Sequence, residues 1–144
     1  MELRTPVGSL TEQEARTFAE RWLPAWTGND PERLASFYTE DCFYADPTVP
    51  EGASGKPAFI RYLRKLLSNN PNWLWTHEKG VPLEGGFLNF WHLSAPVGDR
   101  MVEARGVCTV QFEGPLIKRN LVYFDMLPMM TAIRDWNARK DKSA

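Results

Sequence analysis

Three turn signals divide the second half of the chain, and this punctuation constrains the fold more than any other feature. They are Glu84-Gly85-Gly86, Val97-Gly98-Asp99 and Glu113-Gly114-Pro115. The apolar and β-branched runs around these turns predict four strands, near residues 73–79, 87–94, 100–112 and 116–125. Strands that follow one another through short turns pair with their neighbours, so the sequence predicts an antiparallel meander.

The first half of the chain carries helical patterns instead. Thr11-Glu12-Gln13-Glu14 has the form of a capping box and predicts the start of a first helix. Pro24 lacks an amide hydrogen, so this helix should bend near its end. Asp30-Pro31 predicts the start of a short second helix, and Pro57 predicts the start of a third, which ends at Asn69-Asn70-Pro71.

These elements predict an α+β fold in which three helices cover one face of a sheet. Residues 42–44 form a brief predicted strand, and the prolines and glycines of residues 46–55 predict a loop. Residues 87–91 and 121–124 are apolar on both strand faces, which is more than one helical layer needs. We therefore expect a homodimer formed through the outer face of the sheet.

The composition narrows the class of protein. The 144 residues contain no Ser/Gly-rich linker, so we expect one domain over residues 1–144 with a core at about 11–136. Basic and acidic residues number 17 and 18 without a basic cluster, so neither nucleic acid nor a membrane is an expected partner. No signal-peptide-like or membrane-spanning stretch is present, so we expect a soluble, cytoplasmic protein. Cys42 and Cys108 lack metal or redox spacing and indicate buried thiols without a disulfide.

Asp125 ends the apolar run that begins at Leu121, and its position needs an explanation. An ionised acid costs several kcal/mol to bury without a partner. Either Asp125 caps the segment around residues 127–130, or its pKa is raised so that it can transfer a proton at neutral pH. We expect Asp125 to project into an enclosed, mainly apolar cavity with a raised pKa.

Several motifs carry a family resemblance over nearly the whole chain. The first half is similar to SnoaL-like cyclases and ketosteroid isomerases in the segments 22–30, 37–42, 44–47 and 55–60. Tyr123-Phe124-Asp125 resembles the end of SnoaL-like cyclases and limonene epoxide hydrolases. The chain thus resembles the nuclear-transport-factor-2-like superfamily. The resemblance implies a cone-shaped α+β barrel, in which a curved antiparallel sheet wraps on three N-terminal helices around a deep pocket.

The same resemblance implies three candidate catalytic residues. Asp46, in Asp46-Pro47, matches the aspartate that shuttles a proton in ketosteroid isomerases. Asp125 matches the terminal acid of the cyclases and epoxide hydrolases. The hydrolase's Arg-x-Asp has no counterpart here, and His92 lies in the comparable region as a replacement base. Trp22 and Cys108 stand where the isomerase has its oxyanion-hole donors, so a true ketosteroid isomerase is not expected.

Each candidate also has a structural alternative. Asp46 could serve only to start the Asp-Pro turn, and His92 could be a hydrogen-bonded core histidine. Glu103 either points into the pocket or faces solvent. The expected ligand pocket is lined by aromatic side chains and one acid, namely Trp22, Tyr44, Trp75, Trp91, Glu103 and Tyr123. Met126, Met129 and Met130 are candidates for an adaptable lip at its mouth.

The missing motifs direct the functional prediction. The chain has no nucleophile elbow, phosphate loop or dinucleotide fingerprint, and its two histidines lack metal-ligand spacing, so we expect neither metal nor cofactor. Proton transfer is the chemistry that remains. The sequence predicts a cofactor-free acid/base enzyme acting on a small hydrophobic, cyclic substrate as an isomerase, cyclase, dehydratase or epoxide hydrolase. The alternatives are a non-catalytic small-molecule-binding protein of the same fold and a dimeric scaffold module.

Overall fold

The computed structural model describes residues 10–143, apart from the side chains of residues 142 and 143. Within this part of the chain there are four α-helices: α1 (Glu12–Trp22), α2 (Pro31–Ala35), α3 (Lys56–Asn69) and α4 (Leu127–Ser143). The strands of the same part are β1 (Tyr38–Asp46), β2 (Val49–Ser54), β3 (Leu74–Leu83), β4 (Gly86–Val97), β5 (Arg100–Glu113) and β6 (Leu116–Phe124). The helices predicted at Thr11, Asp30 and Pro57 are confirmed.

The strands form one curved, unclosed sheet in the order β2-β1-β6-β5-β4-β3. Strands β3 to β6 are the predicted antiparallel meander. Strand β1 joins the other side of β6 in parallel, with Tyr44 beside Asn120. The predicted α+β cone is therefore confirmed, with the helices packed against the concave face of the sheet.

The start of the chain's first helix follows the predicted capping chemistry. The Thr11 hydroxyl accepts a hydrogen bond from the amide of Glu14 at 3.1 Å, and the Glu14 carboxylate accepts one from the amide of Thr11. At the other end, Pro24 changes the helix type: α1 continues into a 3-10 helix over Leu23–Trp26. This tighter turn places Trp26 in the core, 5% exposed, instead of on the continuation of α1.

The prediction of a loop over residues 46–55 is wrong, because these residues form a hairpin. Strand β2 pairs antiparallel with β1, and Asp46 lies opposite Val49. The sheet order makes β2 an edge strand, where Pro50 interrupts no ladder between two neighbours. Gly52 has a positive φ of 85° and lies under the Phe43 ring, which a side chain would displace. The brief strand predicted at residues 42–44 accordingly extends over all of β1.

The sequence prediction also missed α4 as a helix. Its apolar residues Met129, Ala132, Ile133 and Trp136 have helical spacing, but charged residues fill the rest of the segment. Tertiary contacts hold its far end: Arg139 makes a bidentate pair with Asp99 at 3.0 and 2.8 Å. The Trp136 ring packs against Gly98 in the same β4–β5 turn. The helix is thus fixed to the sheet by residues distant in sequence.

We predict that Gly98→Ala destabilises the protein more than Gly114→Ala. Both glycines have nearly the same left-handed φ, 61° and 60°, so both substitutions carry the roughly 1–2 kcal/mol cost of that conformation. A Cβ on Gly98 would also lie 2.2 Å from the Trp136 ring, whereas one on Gly114 meets nothing within 4 Å. Urea denaturation should show an additional loss of about 1–3 kcal/mol for Gly98→Ala. Equal losses would mean that the Trp136 contact does not hold α4.

Candidate functional site

A cavity of about 230 Å³ opens between the sheet, α3 and α4. Its walls are mainly aromatic, formed by Trp22, Trp26, Tyr44, Tyr62, Trp73, Trp75, Trp91 and Phe124. Aliphatic and methionine side chains complete them: Leu23, Leu66, Leu93, Val122, Met126, Met129, Met130 and Ile133. The polar lining residues are Asp46, Thr48, Asn70 and Asn120. An apolar cavity with a few converging polar groups has the character of a small-molecule site.

Strand alternation selects which side chains reach this cavity. On β4, Trp91 and Leu93 point inward and are buried, while the residues between them face the other side of the sheet. On β6, Asn120, Val122 and Phe124 share the inward face by the same rule. Strand β1 contributes Tyr44 and Asp46.

Asp46 is the acid of the cavity, and its carboxylate is held by five hydrogen bonds. Asp46 is only 8% exposed. Its Oδ2 accepts from the hydroxyl of Tyr44 at 2.7 Å and from that of Tyr62. Its Oδ1 accepts from the Thr48 amide at 2.7 Å, the Thr48 hydroxyl at 2.6 Å and the Val49 amide at 3.1 Å. The carboxylate therefore has a fixed orientation at the cavity wall.

The two tyrosines that bind Asp46 remain protonated at neutral pH. Burial raises the pKa of Tyr44 well above its ordinary value, and the neighbouring Tyr62 and Asp46 add to the rise. Burial is likewise the main cause of the raised pKa of Tyr62, followed by the charge of Asp46. Both hydroxyls are therefore available as hydrogen-bond donors to an anionic oxygen.

A continuous series of aromatic rings leads along the cavity wall from Trp73 to this cluster. The ring centroids of Trp73 and Trp75 are 6.0 Å apart, and those of Trp75 and Trp26 are 5.7 Å apart. Trp26 lies 5.7 Å from Tyr44, and Tyr44 lies 5.4 Å from Tyr62. All five rings are mutually tilted, so together they form a curved aromatic wall that ends at Asp46.

A second polar cluster adjoins the cavity at Asn120 and Trp22, which line it. The Asn120 amide donates to the Tyr38 hydroxyl at 3.0 Å, and burial raises the pKa of Tyr38. The indole N–H of Trp22 lies near enough to oppose that rise, yet among the described residues it has no hydrogen-bond partner of good geometry. Cys108 is also buried, and burial raises its pKa to about 12. The thiol is thus neutral, and it does not line the cavity.

The prediction that Asp125 projects into the cavity is wrong. Its residue is exposed, and its Oδ1 accepts a hydrogen bond from the amide of Leu127 at 2.9 Å. Strand β6 ends at Phe124, so Asp125 stands at the junction with α4, where its carboxylate satisfies a free amide of the helix start. Asp125 therefore caps the following segment, as the structural alternative predicted. Because it is exposed, the cost of burying an ionised acid does not apply to it.

The expected cavity positions of His92, Glu103 and Tyr123 are also wrong. All three lie on the outer face of the sheet. His92 pairs with Glu103 at 2.7 Å, and Tyr123 is 56% exposed. The physical reason is alternation: because Trp91 and Phe124 point inward, the adjacent His92 and Tyr123 point outward. The other expected pocket residues, Trp22, Tyr44, Trp75 and Trp91, line the cavity beside Asp46.

Two functional candidates were missed by sequence reasoning. Tyr62 lies three residues after Phe59 and four before Leu66 on α3, so helical spacing places it on the same inward stripe. Thr48 follows the Asp-Pro pair, where short polar residues often bind the preceding side chain. Thr48 binds Asp46 within the β1–β2 turn, whereas the Asp46 partner of Tyr62 is revealed only when α3 packs on β1.

Known families and structures resemble the chain over most of its length. The family described as SnoaL-like domain matches residues 19–120, more than half of the sequence. The chain belongs to this family. A comparison with curated protein sequences finds no match.

Solved structures show the same fold at low sequence identity. A proposed SnoaL-like polyketide cyclase from Jannaschia sp. CCS1 superposes with a TM-score of 0.72 at 16% identity, covering 92% of this chain and 97% of that one. A protein of ketosteroid isomerase-like fold from Catenulispora acidiphila DSM 44928, in complex with trimethylamine, gives 0.71 at 15% identity, covering 79% and 89%. A proposed ketosteroid isomerase from Kribbella flavida DSM 17836 gives 0.62 at 18%, covering 79% of each chain. The SnoaL-like protein thus has a ketosteroid isomerase-like fold.

Two further findings on the SnoaL-like chain concern metal ions and membranes. Within residues 10–143, no three His, Cys, Asp or Glu side chains come together as metal ligands do. No helix in the same range is long and apolar enough to cross a membrane.

We predict that the buried tyrosines make stability fall at alkaline pH. Their folded-state pKa values lie above the ordinary 10.0, so the stability they contribute is complete below pH 10 and is lost as the pH rises further. Tyr62→Phe should reduce this decline by at most about 1.4 kcal/mol per pH unit. Urea denaturation between about pH 9 and about pH 11 measures both slopes. Equal slopes for Tyr62→Phe and the parent would contradict the proposed burial effect.

Proposed function

We propose that the protein is a cofactor-free acid/base enzyme of the isomerase or cyclase type, acting on a small hydrophobic, cyclic substrate. One observation supports this most strongly: a buried carboxylate, Asp46, lies at the wall of an aromatic cavity and is oriented by two protonated tyrosines. A carboxylate in such a position can accept a proton from carbon.

The proposed reaction begins when Asp46 removes a proton from a carbon beside a substrate carbonyl. The electron pair of the broken C–H bond moves to the carbonyl oxygen, which becomes an enolate. The hydroxyl of Tyr62 turns from Asp46 to this oxygen and stabilises its charge. In a substrate with a carbon–carbon double bond next to the carbon that lost the proton, Asp46 then returns the proton to the far carbon of that bond. The electrons of the enolate re-form the carbonyl, and the carbon–carbon double bond moves one position toward it. Tyr44, Thr48 and Val49 keep the carboxylate aligned throughout.

The epoxide hydrolase prediction loses its main support. It depended on Asp125 as an acid inside the pocket, and Asp125 is exposed and caps α4. The isomerase or cyclase proposal therefore depends on Asp46 and no longer on the match of Asp125 to the terminal acid of the cyclases. A purely scaffolding role leaves the cavity without a purpose. The second candidate is a non-catalytic binding protein, favoured by the fact that all donors within reach of Asp46 already occupy its oxygens.

We predict that Asp46→Asn abolishes proton transfer, whereas Asp125→Asn does not. The test incubates the protein with a panel of small cyclic enolisable ketones in deuterium oxide and follows deuterium uptake by NMR. For a ketone that exchanges faster with protein than without, Asp46→Asn should lower the rate about a hundredfold or more, the usual scale for a positioned base. Asp125→Asn should change it less than about threefold, because its carboxylate only caps α4.

Three results decide between the candidates in this experiment. A large loss confined to Asp46→Asn supports the enzymatic proposal. Binding of a ketone without any enhanced exchange supports the binding protein instead. A large loss in Asp125→Asn, with the fold intact by circular dichroism, would mean that the acid at the end of β6 takes part after all.

We also propose that the chain acts as one domain and forms a homodimer through the outer face of the sheet. This face exposes large apolar side chains, among them Phe90 at 38%, Met101 at 60% and Tyr123 at 56%. The two cysteines are buried and free. Because thiols persist in reducing compartments, we propose a cytoplasmic location.

We predict that Tyr123→Glu disrupts this dimer, since it places a charge among the exposed apolar side chains of the outer face. Sedimentation velocity at micromolar concentration should give a dimer of the 16.5 kDa chain for the parent protein and a monomer for the variant. Lys65→Glu, on the exposed side of α3, also changes charge but should leave the dimer intact. A monomeric parent protein would refute the dimer and leave the cavity proposal untouched.

A further inference from the structure

The charges around the cavity have one sign. Among the described residues that line it, Asp46 is the single charged side chain, and none is Lys, Arg or His. A ligand inside the cavity therefore meets a negative charge and no positive one.

The charge of Asp46 also has no ion-pair partner among the described residues. Between residues 10 and 141, none of the ion pairs within 4.0 Å includes it. Its hydrogen bonds come from hydroxyl and amide groups, which orient the carboxylate but carry no net charge. Because the residue is almost fully buried, water screens this charge weakly, and its field extends into the cavity.

The walls add to the same field. Five of the chain's six tryptophans line the cavity, and the face of an indole ring carries the negative part of its quadrupole. Trp75 contacts Trp26, Trp26 contacts Tyr44, and Tyr44 donates its hydroxyl to Asp46. Aromatic rings that adjoin a carboxylate in this way provide the environment in which alkylated ammonium groups bind.

We propose that the ligand of this cavity carries a positive charge, as a protonated alkylamine or a quaternary ammonium group. This group is held by Asp46 and the tryptophan wall formed by Trp26, Trp73 and Trp75. The inference rests on the part of the proposed function that assigns the cavity to a ligand, and it does not require that Asp46 transfers a proton. Carboxylate and phosphate ligands fit the cavity less well, because none of the described residues that line it is Lys, Arg or His.

The test compares two probes of nearly the same shape that differ in charge. Choline carries a trimethylammonium group, and 3,3-dimethylbutan-1-ol has a neutral tert-butyl group in its place. Isothermal titration of both probes at constant ionic strength should give a dissociation constant at least about tenfold lower for choline.

Two variants assign that preference to the residues named. Asp46→Asn removes the charge and should reduce the preference for choline to about threefold or less. Trp75→Leu keeps an apolar wall without the ring quadrupole and should weaken choline binding more than binding of the neutral probe. Asp41→Asn is the matched control, since Asp41 lies on the same strand with its side chain 69% exposed and paired with Lys118. It should keep the preference of the parent protein.

Each other outcome overturns the proposal in a recognisable way. Equal or tighter binding of the neutral probe means that the cavity does not select for positive charge, while it still binds a ligand and could still act by proton transfer. A choline preference that persists in both Asp46→Asn and Trp75→Leu places the cation elsewhere on the protein. If neither probe binds in the millimolar range, the cavity is not an ammonium site. The deuterium-exchange test then decides the proposed function by itself.

Discussion

The site depends on the hydrogen bonds of the Asp46 carboxylate, because they join three parts of the fold. Its hydrogen bonds from Thr48 and Val49 close the β1–β2 hairpin. Its bond from Tyr62 fixes α3 against that hairpin. An ionised group at this depth is tolerable only because its oxygens are satisfied by donors. The same bonds that make the acid acceptable to the fold thus define where a substrate or a cation can approach it.

Local sequence rules predicted most of the architecture. The capping box at Thr11, the Asp30-Pro31 start and the three glycine turns act within a few residues of themselves, so their effect can be read without knowing what packs nearby. The exceptions depend on distant partners. Strand β2 tolerates Pro50 because the sheet order puts it at an edge. Helix α4 is held by Arg139 on Asp99, a contact between segments far apart in the chain.

The candidate site was harder to predict, and strand alternation explains why. Reasoning from neighbouring residues placed Trp91 and His92 in one pocket, yet adjacent strand residues cannot share one face. Tyr123 was placed there too, although the adjacent Phe124 takes the inward position. If the alternation of strand side chains had been applied strictly, placing Trp91 and Phe124 inside would have excluded His92 and Tyr123 from the cavity. Asp125 escapes the rule because the strand has already ended, and no local pattern shows where β6 stops. Tyr62 could be recognised as a site residue only from the packing of α3 on β1.

The parallel pair of β1 and β6 has a consequence for the order in which this molecule assembles. Every other neighbouring pair of strands in the sheet is antiparallel and follows closely in the chain, whereas Tyr44 meets Asn120 only after most of the sequence between them has been made. Closing so long a loop is slow, because the chain loses conformational entropy before the contacts between the two strands form and compensate for that loss. The local pairs of the meander do not need this long loop, whereas the wall that carries Asp46 does. During synthesis the cavity therefore stays open until β6 and α4 have emerged, and until then an aromatic surface is exposed that chaperones or aggregation would encounter.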